Sequence, residues 1–253
     1  MRARAVLLGA LSFAVILAAW EIVSRAGLIS PFFISRPTLI AAAIGQSARS
    51  GDLAQSVGVT LAEFGAGFGA AIVVGLALGV AAGWFSVVEY AIDPFIWFVY
   101  SAPLIAFYPL FVLWLGLGPG TVIAISFLLS VTPITVNTLT GIRNVSPTLQ
   151  VAARSFGARP QDVLWKVVLP ASVPMIAAGL RLGIGRALTG VVIAELFVPS
   201  GGLGSSIAYN GGLLRTTDML ASLMVIVVLG VLCTQALSAV ESHFDSWRTG
   251  PGL

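Results

Sequence analysis

The chain has 253 residues, of which 58% are hydrophobic and only 9% charged, with a formal net charge of +3 and a mean hydropathy of +1.01. Soluble domains carry about 25% charged residues, so this composition excludes an ordinary water-soluble fold and indicates an integral membrane protein, while the small net charge gives no basis for nucleic-acid binding. The single cysteine, Cys233, and single histidine, His243, exclude an intrachain disulfide and a Cys- or His-rich metal centre.

A bilayer core of about 30 Å needs about 20 apolar residues in a helix. Six segments meet that length, so the expected fold is all-α with about six transmembrane helices. The first runs from about Ala5 to Val23, behind Arg2 and Arg4; its apolar run is longer than a signal-peptide core, and it reads as an uncleaved anchor. A loop over 26–56 follows, in which Pro37 to Arg49 fits a short amphipathic surface helix or a plain connector. Residues 1–56 are taken as anchor and outer loop, and 57–245 as the transmembrane core.

The second span, about Val57 to Trp84, carries Gly65 and Gly69, then Gly75, Gly79 and Gly83. Small residues four apart let helix backbones approach closely, so these glycines are expected at helix contacts. The third span runs from about Phe95 to Leu115 with Pro103 and Pro109, and the fourth from about Thr121 to Thr140 with Pro133. The fifth runs from about Val173 to Val198 and the sixth from about Met219 to Val240. Ionisable groups inside spans are costly and call for a reason. Asn137, Arg186 and Glu195 are the candidates for a translocation path; Asn137 also fits a helix-to-helix hydrogen bond, Arg186 a helix bridge, and Glu195 the outer interface.

Orientation follows from arginine and lysine in the loops. With both termini inside, the inner side carries Arg2, Arg4, Arg143, Arg154, Arg159, Lys166 and Arg248, and the outer side Arg25, Arg36, Arg49 and Arg215. This arrangement puts segment 143–172, between the fourth and fifth spans, in the cytoplasm.

That segment is polar where the rest is apolar. Ser146-Pro147 suits a helix start, and Gly157 falls where a left-handed residue would end the helix. Pro160 is expected to start a second short helix, Pro170 to end it, and Pro174 to start the fifth span. The first helix presents Val151, Ala152 and Phe156 beside Arg154, which fits a helix lying on the bilayer as well as one docking into a partner's groove.

Ala152-Ala153, three residues (Arg154, Ser155, Phe156), Gly157, and then Val167-Val168-Leu169-Pro170 resemble the EAA loop of ABC-transporter permeases of the binding-protein-dependent import type. The first position departs, with Val151 where the family has glutamate. Gly179-Leu180-Arg181-Leu182-Gly183, Ala194-Glu195, Gly202-Leu203-Gly204, Thr217-Asp218 and Pro109 to Gly116 fall where nitrate/sulfonate/taurine-type permeases have similar residues. The resemblance implies a bacterial inner-membrane, multi-pass permease, present as a homodimer. Two cytoplasmic ATP-binding subunits would dock on the paired loops, and an external solute-binding protein would deliver a small solute, either an anion such as a sulfonate or nitrate, or taurine or a vitamin precursor. It assigns ATPase coupling to Val151, Ala152, Ala153, Arg154, Ser155, Phe156, Gly157, Ala158, Arg159 and Asp162.

A P-loop requires G-x-x-x-x-G-K-S/T. Lys166, the only lysine, follows Trp165, so no such motif is present. ATP and Mg are therefore expected on the partner ATPase, with no catalytic residue and no cofactor in this chain. Two other classes fit less of the sequence. A gradient-driven secondary transporter would leave the EAA-like loop unexplained, and a membrane-embedded enzyme would need clustered acids, nucleophiles or metal ligands.

Overall fold

A computed structural model of the chain describes the backbone of residues 2–27, 30 and 32–244; the side chains of residues 1–7, 10, 28–29, 31, 237–238 and 240–253 lie outside the description. The described residues contain helices and no strand. In chain order the helices are α1 (Arg2–Arg25), α2 (Pro37–Ser50), α3 (Asp52–Trp84), α4 (Ser86–Ser101), α5 (Tyr108–Leu115), α6 (Pro119–Arg143), α7 (Pro147–Ser155), α8 (Pro160–Val163), α9 (Leu169–Phe197), α10 (Leu203–Gly212) and α11 (Thr216–Phe244). A short 3-10 turn, Leu104–Phe107, lies between α4 and α5.

Four helical segments are long and apolar enough to cross a bilayer, namely α3, α6, the run Pro160–Phe197, and Thr216–Ala236 of α11. The expected first span falls on α1, part of whose side chains lie outside the described residues, as do those of His243 and Arg248. The expected third span is not one rod. Ser86–Ser101 and Leu104–Leu115 meet at an 89° bend. The break is local chemistry: Pro103 has no N–H to continue the helix, and Ala102 before it is extended, at φ −70° and ψ 135°. Pro109 then sits in the opening turn of α5, where a missing N–H costs nothing.

A second correction concerns Pro170 and Pro174. Neither ends nor starts a helix, because α8 and α9 form one 38-residue helix, Pro160–Phe197. A π-turn over Leu164–Val168 precedes Pro170. Its wider hydrogen-bond spacing makes room for a ring that would clash with the preceding turn of an α-helix.

The chain divides into two compact units, 61–194 with 229–253, and 1–60 with 195–228. The first has α6 at its centre, with Val122, Ile125, Ser126, Ile134 and Thr138 at 1% exposure or less. Its seam with α3 uses Gly67, Ala71, Gly75, Gly79 and Gly83, an unbroken series at i, i+4. A Cβ on Gly67 would stand 2.8 Å from Ser126 Cβ, one on Gly75 2.8 Å from Ile134 Cγ2, one on Gly79 2.5 Å from Thr138 Cβ, and one on Gly83 2.8 Å from Ile142 Cβ. Ala71, within the same series, is fully buried. Gly65 and Gly69 lie off this seam, with nothing within 4 Å of a Cβ built on either. On the other side of α6, Gly141 approaches Ser172 and Met175, and Gly179 approaches Asn137.

In the other unit the loop after α1 is ordered by its own hydrogen bonds. Glu21 accepts from the Thr38 N–H at 3.1 Å and the Thr38 hydroxyl at 2.9 Å, and so caps the start of α2. Arg25 reaches the same carboxyl at 2.7 Å. Thr216 donates to the Phe32 carbonyl at 2.6 Å, and Ser35 and Thr217 share a hydrogen bond of 2.8 Å. Of the two expectations for this segment, the helix is the one formed.

Candidate functional site

Segment 143–172 folds as two short helical pieces, α7 and α8, joined by a glycine turn. Pro147 opens α7 as expected, although Ser146 makes no side-chain cap. The far end is a Schellman cap: Gly157 N–H donates to Arg154 O at 2.9 Å and Ala158 N–H to Ala153 O at 3.1 Å, with Gly157 at φ +83°. The left-handed region disfavours a residue with a Cβ, so glycine here follows from the backbone alone. Ala153 and Ala158, bracketing the cap, pack on a small core of Ile142, Val145, Val163 and Val168. That core ties α7 and α8 to the end of α6, with Trp84 and Val80 of α3 packed against it. Arg143, at the end of α6, also pairs with Glu89 of α4.

The opposite face of α7 is open. Val151 is 61% exposed and Phe156 93%, with Leu149 and Trp165 exposed nearby. Ala152, Arg154, Ser155 and Arg159 are exposed too, and neither arginine side chain bonds to any described residue. Ser155 returns its hydroxyl to the Val151 carbonyl at 3.0 Å. Asp162 is paired with Lys166 at 2.6 Å, four residues on; that hydrogen bond holds its carboxyl below the ordinary range. Of the expected coupling residues, Val151, Ala152, Arg154, Ser155, Phe156, Gly157 and Arg159 are exposed, while Ala153 and Ala158 face the core and Asp162 is engaged by Lys166.

The three polar candidates within the spans have different surroundings. Asn137 is half-buried between α6 and α9 and donates to the Pro133 carbonyl at 2.8 Å. Arg186 is exposed on α9. Glu195 is 1% exposed. Its Oε1 accepts from the Thr60 hydroxyl at 2.8 Å and its Oε2 from the Gly204 N–H at 2.6 Å. The Thr60 oxygen in turn accepts from the Leu203 N–H at 2.9 Å. Glu195 and Thr60 therefore cap the first N–H groups of α10 from the ends of two long helices. The turn that brings α10 back needs Gly201 at φ +86° and Gly202 against the Glu195 carboxyl, where a Cβ would collide with Oε1. Sequence reasoning did not find Thr60. The available signal was an isolated glutamate followed by Gly201-Gly202, a carboxyl with a glycine turn to approach it.

Residues 71–247 match the family model described as "Binding-protein-dependent transport system inner membrane component". The taurine transport system permease protein TauC of Escherichia coli is 32% identical over 242 residues, which cover 94% of this chain and 88% of that protein. The putative aliphatic sulfonates transport permease protein SsuC of Bacillus subtilis is 30% identical over 240 residues, covering 95% and 87%. Among solved structures, a chain of the MetNI methionine ABC transporter in inward facing conformations superimposes with a TM-score of 0.64 at 22% identity, covering 76% of this chain and 96% of that one. That likeness shows a shared fold.

Proposed function

The chain belongs to the family of binding-protein-dependent transport system inner membrane components, and from that membership we infer that segment 143–172 is where a separate P-loop ATPase drives this ABC-importer permease. The observation that carries the inference is the two-sided build of α7. One side is locked by Ala153 and Ala158 into the core at the end of α6, while Val151, Arg154, Phe156 and Arg159 stand free on the other. A helix fixed to a span on one side and open on the other transmits motion as a lever. Nucleotide-driven closure of two ATPases would move two such levers and rock the spans between inward- and outward-facing states.

In this reading the segment and both termini are cytoplasmic, as the arginine distribution favours. Residues 57–245 form the permease core and 1–56 an added anchor and outer loop. Two copies of the chain enclose the solute path, and an external binding protein delivers the solute. The names of the taurine and sulfonate relatives support a small sulfonate-like anion as cargo.

The test is Gly157→Arg. Nothing lies within 4 Å of a Cβ there, so the substitution acts first on the left-handed backbone and the open face. The variant is expected to insert at the wild-type level. In proteoliposomes with the ATPase and loaded binding protein, its uptake should fall at least about tenfold, equivalent to about 1.4 kcal/mol of coupling. Wild-type uptake by the variant contradicts the assignment.

A further inference from the structure

The exposed faces of the long helices differ in chemistry. On α11 the exposed face is apolar, with Val227, Val228, Val231 and Leu232 all 50–58% exposed. On α3, Val73 is 70% exposed, with Val74 and Leu78 beside it. Such faces suit hydrocarbon. The exposed face of α9 does not. Leu182, Gly185, Arg186 and Thr189, at i, i+3, i+4 and i+7, are all exposed and share one side of the helix. Thr189 bonds only back to the Gly185 carbonyl, at 2.8 Å. The Arg186 guanidinium makes no hydrogen bond or ion pair with any described residue. A Cβ on Gly185 would meet nothing within 4 Å, so the space beside Arg186 is open. Arg186 stands about 16 Å from the end of α9 at Phe197.

An arginine turned to lipid at such a depth costs about 2.5–3.5 kcal/mol on the insertion scale. Water or a second protein surface therefore covers this face. We propose that Arg186 lines a water-filled path between two copies of the chain and is the binding group for the oxyanion head of the solute, of the sulfonate, carboxylate or nitrate class. The proposal rests on the permease reading above. A guanidinium presents two parallel N–H donors that match two oxygens of one oxyanion. A two-fold axis would bring an identical Arg186 from the second copy to the same path, so an anion there meets two cations. The same pair repels cations, which gives the path a charge preference.

Charge-selective thiol labelling tests this without knowledge of the natural solute. Gly185→Cys is made in a Cys233→Ser background, and the complex is labelled in membrane vesicles with an anionic reagent, sulfonatoethyl methanethiosulfonate, or a cationic one, trimethylammonioethyl methanethiosulfonate. Each rate is divided by that of the same reagent with a free thiol. The anionic reagent should be favoured at least about tenfold, the lower end of focusing by a charged cleft. Arg186→Gln should abolish the preference and Arg186→Lys should keep most of it. Two results overturn the proposal: labelling by neither reagent while the unfolded protein labels fully, or a preference that survives Arg186→Gln. A lipid phosphate held by Arg186 gives the first of these, a face closed to both reagents. If the ATPase still co-purifies with the variant in either case, this site alone fails; if no ATPase accompanies the wild-type chain, the permease reading fails with it.

Discussion

Replacing Glu195 by alanine is expected to lower the thermal unfolding midpoint of the detergent-solubilised protein by about 5–10 °C, corresponding to about 2–4 kcal/mol for a chain of this size. The loss has two parts. The Gly204 N–H and the Thr60 hydroxyl each lose an acceptor, at 2.6 Å and 2.8 Å, in a place from which water is excluded. A buried donor without a partner costs about 1–3 kcal/mol. Thr60 loses its anchor as well, and with it the bond from the Leu203 N–H weakens. Glu195→Gln keeps the shape and one acceptor oxygen, so its midpoint should fall by about half as much. An unchanged midpoint for Glu195→Ala would show that α10 is not held by this cap. Thr60→Val, which removes the hydroxyl and keeps the volume, should reproduce part of the loss.

In the other unit, Gly79→Leu should be about as disruptive. The first added carbon already stands 2.5 Å from Thr138 Cβ and 2.9 Å from the Thr135 carbonyl oxygen, and that oxygen belongs to backbone that cannot turn aside. The helices must separate along the seam, undoing the close packing at Gly75 and Gly83 one turn to either side. Overpacking of this kind costs about 3 kcal/mol, with a fall in midpoint of similar size to that of Glu195→Ala. Gly65→Leu is the matched control. It adds the same side chain to the same helix where nothing lies within 4 Å, and it should leave the midpoint near wild type. Equal effects of the two substitutions would mean that helix propensity, and not the seam, governs them.

The contrast between Gly65 and Gly79 shows where sequence patterning runs out. Both belong to runs of glycines four apart, and either run satisfies small-xxx-small spacing. The runs differ in register: Gly75, Gly79 and Gly83 continue backward through Ala71 to Gly67, not to Gly69 and Gly65. Only the shape of α6, with Ser126, Ile134, Thr138 and Ile142 spaced to meet them, selects one register. Segment 143–172 was more legible, since its signals are local. Pro147 and Gly157 mark the two ends of α7 through backbone restrictions that need no knowledge of neighbours, and both stand where expected. The same local reasoning failed at Pro170, because a π-turn lets the helix run on, and at Ala102-Pro103, because an apolar run records length and not direction. The cap on α10 joins Thr60 to Glu195 across 135 positions, a pairing that no local pattern encodes.

Contact between the open face of α7 and a P-loop ATPase can be captured at Phe156, 93% exposed at the end of that helix. A photoreactive benzoylphenylalanine is placed at position 156, the native membranes are irradiated before extraction, and the adduct is digested and sequenced by mass spectrometry. One dominant adduct is expected, to a soluble subunit whose peptides include a P-loop, and it should be lost when Gly157→Arg is added. Adducts to lipid alone, under conditions that leave the chain inserted and transport active, would contradict it and return α7 to a helix lying on the bilayer.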